Sequence, residues 1–168
     1  MDILVLGGGY GTRLFGEHTP ENYLPKGLVK IGNKTAIDYA LSAFSRDLIG
    51  KIIVETNMEG EEHYRHWMRS KDNDLNIEIY VEKQSTPKKC LGILKTLEIV
   101  ARDILFKEPT LLVAPDNIFT LNQDSLIRNY NGEDALKLSA MVKGNKNVKV
   151  FLYKTLEDLE GIFFSSIN

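Results

Sequence analysis

"LVLGGGYGTRLFG", residues 4–16, passes from an apolar run into four glycines within five positions, Gly7, Gly8, Gly9 and Gly11, and then at once into Thr12 and Arg13. A short apolar run that stops at glycine is what a buried parallel strand looks like, so Asp2 to Leu6 are expected to open an α/β sheet. Successive glycines let backbone N–H groups turn inward with no Cβ in the way, which makes a concavity for an anion. Arg13 adds a planar, permanently charged fork suited to phosphate oxygens. The alternative is a tight strand-to-loop turn with Arg13 in solvent. Four clustered glycines followed directly by arginine favour phosphate.

Downstream of this loop, strand and helix patterns alternate. "GLVKI" predicts a brief strand, Gly32-Asn33 a turn, and the residues after Thr35 a helix, with Thr35 as N-cap and Ile37, Ala40, Leu41 and Phe44 on its apolar face. Lys51–Thr56 predicts a second buried strand. "EGEEHYRHWMRS" predicts an amphipathic helix with acids in its first turn and Arg69 in its last, matching the helix dipole. "NIEIYVE" alternates as a strand does. "CLGILKTLEIVARDIL" predicts a long helix that buries Leu94, Leu97, Ile99, Ala101 and Ile104. Thr110–Pro115 predicts another buried strand with Asp116 directly after it, and "LNQDSLIRNY" a short helix. The tail, "ALKLSAMV", "VKVFLY" and "GIFFSSI", reads as β. Alternation through about residue 130 implies a mostly parallel sheet with helices on both faces. Ligands of such sheets bind at the carboxyl ends of the strands, where both the glycine loop and Asp116 fall.

The whole chain limits what the bound anion is. It has 168 residues, 43% of them hydrophobic, and a formal net charge of −2. That suits one globular domain and supplies no global field for nucleic acid or an anionic membrane, so phosphate binding has to be local. No apolar run approaches the roughly 20 residues that span a bilayer, and "MDILVLGG" reads as a core strand with no signal-peptide pattern. Cys90 is the one cysteine, which excludes an internal disulfide and points to a cytoplasmic setting.

Two familiar phosphate loops fail on spacing. A G-x-G-x-x-G fingerprint started at Gly7 ends on Thr12, and started at Gly9 it ends on Leu14. The one Gly-Lys pair, Gly50-Lys51, is followed by Ile52 and has Ser45 where a P-loop needs glycine. Pro25 holds Lys26 in an extended stretch before a strand, which limits where its ammonium points. By itself Lys26 is equally a solvated lysine. His63 and His66, three apart on a helix, have no third ligand nearby and read as a solvated face. His18 sits in the long loop, from which approach to phosphate is a minor alternative. Cys90, in "PKKC", reads as an unreactive thiol near a helix start.

Taken together, "LGGGYGTRL…PKGLVKIGNKTAIDYAL" resembles the opening signature of the sugar-phosphate nucleotidyltransferases, G-G-x-G-T-R-L followed by P-K and a strand-turn-helix. "LLVAPDNIF" is similar to that family's second landmark, in the form found in glucose-1-phosphate thymidylyltransferases. The resemblance covers about residues 1–130. It implies a Rossmann-like, three-layer α/β/α nucleotidyltransferase fold over 1–168. In it, 1–130 form the nucleotide-binding part and 131–168 a β-rich start of the sugar-binding part. It implies an enzyme that transfers a nucleoside monophosphate from a nucleoside triphosphate to a sugar-1-phosphate, releasing pyrophosphate, with Mg²⁺ as cofactor. Leu6, Gly8, Gly9, Gly11 and Thr12 would wrap the nucleotide, Arg13 and Lys26 clamp its phosphates, and Asp116 ligate the metal. Gln84 and Gly92 would face the base. For Asp116 a helix N-cap is the alternative, and for Gln84 a surface loop.

Departures from the family pattern set further expectations. "LFGEHTPENYL" is longer than the usual loop after the arginine, and "STPKKCLGILKTL" puts Ile93, Leu94 and Lys95 where small residues normally stand. Pro115 replaces the glycine before the aspartate. Family members continue past this length, so the chain is expected to be a truncated form, a minimal enzyme with a different acceptor, or a nucleotide-binding relative without activity. Two other functions stay open: nucleotidyl transfer to a non-sugar phosphate acceptor, and a nucleotide-binding regulatory relative without turnover.

Overall fold

The computed structural model describes residues 1–11, 23–71, 74–86, 91–104, 108–119, 121–130 and 152–153. Strands β1 (Asp2–Leu6), β4 (Ile52–Asn57), β5 (Ile77–Glu82), β6 (Thr110–Val113) and β7 (Leu152–Tyr153) form the main sheet in the order β5-β4-β1-β6-β7. The β5–β4, β4–β1 and β1–β6 pairs are parallel, and β7 is antiparallel to β6. A small hairpin, β2 (Lys30–Ile31) with β3 (Lys34–Thr35), turns at Gly32, whose φ of 64° suits the missing Cβ. The helices are α1 (Ala36–Leu41), α2 (Glu61–Arg69), α3 (Ile93–Asp103) and α4 (Asp124–Arg128).

Side chains alternate across each strand, so β1 feeds both faces of the sheet. Ile3 and Val5, with Ile52, Val54, Leu111 and Val113, pack under Ile37 and Ala40 of α1 and Tyr64 and Trp67 of α2. Leu4 and Ile53 pack on the other face against Leu97 and Val100 of α3. This is the three-layer architecture expected from the alternation. Each buried Ile, Leu or Val contributes about 1.5–3 kcal/mol. Thr35 caps α1 in a capping box with Asp38, whose carboxylate also receives the Trp67 indole N–H.

Helix α3 corrects one detail. It begins at Ile93, and its buried residues are Leu97, Ile99 and Val100, whereas Leu94 is 41% exposed. The helix follows β5, so its first turn lies toward the carboxyl ends of the strands, where the apolar face of the sheet gives out. Cys90, the expected helix start, lies outside the described residues, as do "ALKLSAMV" and "GIFFSSI". No helix among the described residues is long and apolar enough to cross a membrane.

Candidate functional site

The carboxyl end of β1 delivers the glycine loop onto the ends of β4 and β5. Gly7 N–H donates to the Glu55 carbonyl at 2.8 Å. Gly8 N–H donates to the Glu55 carboxylate at 3.1 Å, and the Gly8 carbonyl accepts from Asn57 Nδ2 at 2.8 Å. Both polar groups of Gly8 are therefore held by side chains two residues apart on one face of β4. Tyr23 Oη donates to the Gly9 carbonyl at 3.4 Å, and Tyr10 Oη reaches the Ser85 carbonyl at 3.1 Å. A methyl group on Gly8 would lie 2.3 Å from Glu55 Oε1, while one on Gly9 would meet open space. The loop is clamped at its start and open at Gly9, which is exposed. Gly11 follows at φ 67°.

Asn57, fully buried, serves three partners with one amide. Nδ2 also donates to Tyr23 Oη at 2.9 Å, and Oδ1 accepts Gly60 N–H at 2.8 Å just before α2. Asn57→Leu takes the partner from the Gly8 carbonyl, at about 1–3 kcal/mol for a buried polar group left unpaired, whereas Gly60 N–H keeps the Asn57 backbone carbonyl at 3.2 Å and Tyr23 Oη keeps the Gly9 carbonyl. The expected loss is about 1–3 kcal/mol in urea unfolding. A loss below 1 kcal/mol would show that the loop re-pairs without it.

Lys26 and Asp116 come from segments far apart in sequence. Lys26 starts a single 3₁₀ turn, Lys26–Leu28, after Pro25, and Asp116 follows β6 and the buried Pro115. Their charged atoms are 3.9 Å apart, with side chains 33% and 48% exposed. An exposed pair at that distance is worth about 0–1 kcal/mol, so neither group is committed to the other. Asp116 caps no helix. Asn117 N–H closes a turn onto the Ala114 carbonyl, and α4 starts later behind Gln123.

Between these segments stands Tyr64, 0% exposed, its hydroxyl buried without a hydrogen-bond partner among the described residues. A Cβ built on Gly7 would lie 2.6 Å from this oxygen. One on Gly27 would lie 2.8 Å from it and 2.7 Å from Pro115 Cβ. The glycine loop, the Lys26 turn and the Pro115-Asp116 turn thus close around one phenol. Burial first, then the charges of Tyr23, Glu55 and Asp116, push its ionisation well above the usual tyrosine range. Tyr64→Phe removes an unpaired polar atom and keeps the edge contact with Trp67 (6.4 Å, 89°). Folding stability should be unchanged or rise by about 1 kcal/mol in urea unfolding; a loss of that size would reveal a partner for the hydroxyl.

The other predicted residues fall around this centre. Gln84 is exposed, on a loop held by Glu82, which accepts N–H bonds from Gln84 and from Ser85, the latter at 2.9 Å. Gly92, φ 77°, precedes α3 with nothing near a built Cβ. Leu6 ends β1. Thr12, Arg13 and His18 lie outside the described residues. Glu55, Asn57, Tyr64 and Glu82 were not singled out from the sequence. The available signal was a carboxylate and an amide closing the otherwise apolar run "KIIVETN". Glu55 and Glu82 are 3% and 1% exposed. Burial, opposed by the Gly8 bond and reinforced by Glu82, raises the Glu55 pKa to about 7. His63 is exposed and stands edge-on to Tyr23.

A mostly parallel sheet that gathers a glycine loop, a lysine and an aspartate at its carboxyl ends defines an open α/β fold of the kind that takes its ligands at that edge. The sequence profile of the nucleotidyl transferase family matches residues 3–158, and the chain belongs to that family, that of the sugar-phosphate nucleotidyltransferases. It is 30% identical over 124 residues to a mannose-1-phosphate guanyltransferase of Neurospora crassa; the match takes in 74% of this chain and 30% of that protein. Two solved structures share the fold. One is a Bacillus anthracis protein assigned as a glucose-1-phosphate thymidylyltransferase, in complex with a sucrose, with a TM-score of 0.65 and 17% identity over 92% of this chain and 68% of that one. The other is HddC from Yersinia pseudotuberculosis complexed with GMP-PN, with a TM-score of 0.61 and 15% identity over 90% and 72%.

Proposed function

We propose that this chain carries the nucleotide-activating half of a sugar-1-phosphate nucleotidyltransferase. It would bind a nucleoside triphosphate across the glycine loop, Lys26 and Asp116. The observation that supports this most directly is the convergence of those three segments around Tyr64 at the strand ends. In the proposed reaction a phosphate oxygen of the sugar-1-phosphate attacks the α-phosphorus, a new P–O bond forms in line, and pyrophosphate leaves with the electrons of the broken bond. Both reactants are polyanions, so the protein's contribution is positioning and charge neutralisation, without a protein nucleophile. The amides from Gly9 onward face the triphosphate, and the Lys26 ammonium offsets charge on the leaving pyrophosphate. Arg13 joins them on the strength of its motif.

Asp116 is the residue that fits Mg²⁺. Its carboxylate is half exposed and only loosely paired with Lys26. Asp116 would supply one carboxylate to the ion, with water and phosphate oxygens among its other ligands. Magnesium accepts that arrangement. Bound there, it would neutralise phosphate charge and orient the triphosphate. One cysteine and small anionic substrates suit a cytoplasmic reaction.

The test is pyrophosphate release from each nucleoside triphosphate paired with common sugar-1-phosphates in magnesium. GTP with mannose-1-phosphate comes first because the Neurospora relative bears that activity in its name. Turnover with any pair supports the proposal. Triphosphate binding without turnover moves the chain to the regulatory alternative, and no binding removes the site.

A further inference from the structure

Glu55 is a carboxyl group lodged under a loop proposed to receive a polyanion, and that placement needs a physical account. The side chain is 3% exposed, and among the described residues no cation pairs with it. The described ionisable groups around it are acidic or neutral: Glu82 from β5, Tyr64 from α2, and Tyr23 and Asp116 near Tyr64. Its contact with the loop is close: the Gly8 amide donates to it at 3.1 Å, and a Cβ built on Gly8 would lie 2.3 Å from Glu55 Oε1. An ionised Glu55 would repel a triphosphate seated on the next few amides, in an interior where screening is weak. A neutral Glu55 keeps a carboxyl oxygen for the Gly8 N–H, so the loop keeps its anchor in either protonation state.

Building on the polyphosphate site proposed above, we propose that Glu55 is the positioning residue of the glycine loop and takes up a proton when a polyphosphate binds. The proton comes from solvent and the carboxylate becomes a carboxylic acid; no other bond changes. Burial already holds the group near the neutral point, with a pKa of about 7, so a few added negative charges suffice to complete the protonation. At pH 7 about half a proton should enter per site.

The sign follows from linkage. The complex holds the proton to higher pH than the free protein does. Affinity on account of Glu55 is therefore greatest below about pH 7 and falls as pH rises through it.

Inorganic triphosphate, which carries no base, is the probe. Calorimetric titration of the full chain from pH 6 to 8.5, in two buffers of different ionisation enthalpy, reads affinity and proton exchange together. Wild type should show net proton uptake near pH 7, although a polyphosphate bound by lysine and amides alone would release protons. Glu55→Gln should show none and bind about tenfold more tightly than wild type at pH 8, with the two converging at pH 6. Glu55→Leu, which removes the acceptor for Gly8, should bind weakly at every pH. If Glu55→Leu fails to fold, the proton exchange of wild type still decides the matter. Binding by wild type with no proton uptake, and a profile parallel to that of Glu55→Gln, overturns the role of Glu55 and leaves the site standing. No binding by wild type or Glu55→Gln overturns both.

Discussion

Asp116→Asn and Lys26→Ala should each lower nucleotide-dependent pyrophosphate release by about 10²–10³-fold, the range seen when one preorganised electrostatic group is removed from a reacting centre. They should do so in different ways. Asp116→Asn keeps the shape of the side chain and removes a hard anionic ligand, so the magnesium concentration for half-maximal rate should rise sharply while triphosphate affinity changes little. Lys26→Ala removes a cation that needs no metal to act, so triphosphate affinity should fall and the magnesium requirement stay near that of wild type. The geometry makes this comparison clean. The two side chains are half exposed and 3.9 Å apart, so losing the pair should cost under about 1 kcal/mol of stability. The melting temperature serves as the control. Full magnesium-dependent turnover in Asp116→Asn would remove the carboxylate from the site, and full affinity in Lys26→Ala would remove the lysine.

Sequence patterns anticipated the elements that depend on local periodicity. The run before Gly7, the alternation along β5 and the Thr35 cap were all legible, because each is set by residues within a few positions of one another. The strand-end placement of the glycine loop and of Asp116 followed from the parallel-sheet rule. What local patterns did not carry is how distant segments use one another's polar groups. The glycine cluster reads as a row of inward N–H groups, and the fold adds that the Gly8 N–H is held by Glu55 while Gly9 is open. Glu55 falls within the predicted buried strand Lys51–Thr56, with nothing local to show what its carboxylate meets. Its burial depends on a loop 47 residues earlier folding over it. Tyr64 read as one position on an amphipathic helix, and only the packed fold shows it wedged between Gly7 and Gly27. In α3 the apolar stripe was visible, but where the sheet face stops, and so which end of the stripe stays exposed, is a tertiary fact.

Glu55→Gln should alter how folding stability depends on pH by about 3 kcal/mol, a large share of the 5–15 kcal/mol typical of a domain. In the unfolded chain the carboxyl group titrates near its ordinary value of 4.5, and in the folded protein near 7. A folded pKa raised above the unfolded one means stability fully present below pH 4.5 and lost as pH rises through about 7. The gap of some 2.5 units at 1.36 kcal/mol each sets the size, good to about one unit. Asp38 works in the opposite direction: burial raises its pKa, but bonds from Lys71, Thr35 and Trp67 prevail and hold it below the usual range, so its contribution is lost in acid. Taking the difference between wild type and Glu55→Gln removes Asp38 and every other shared group. Any fixed cost of burying the glutamine amide shifts that difference by a constant and leaves its slope. Urea unfolding at intervals from pH 4.5 to 8 should therefore show the wild type losing ground steadily across the range, and two parallel curves would mean that the group is not buried as described. A chain that keeps an ionisable group there gives up stability at neutral pH. The return is a loop anchor that sheds its charge when a polyanion arrives, which an amide in the same place could supply only as a permanently neutral contact.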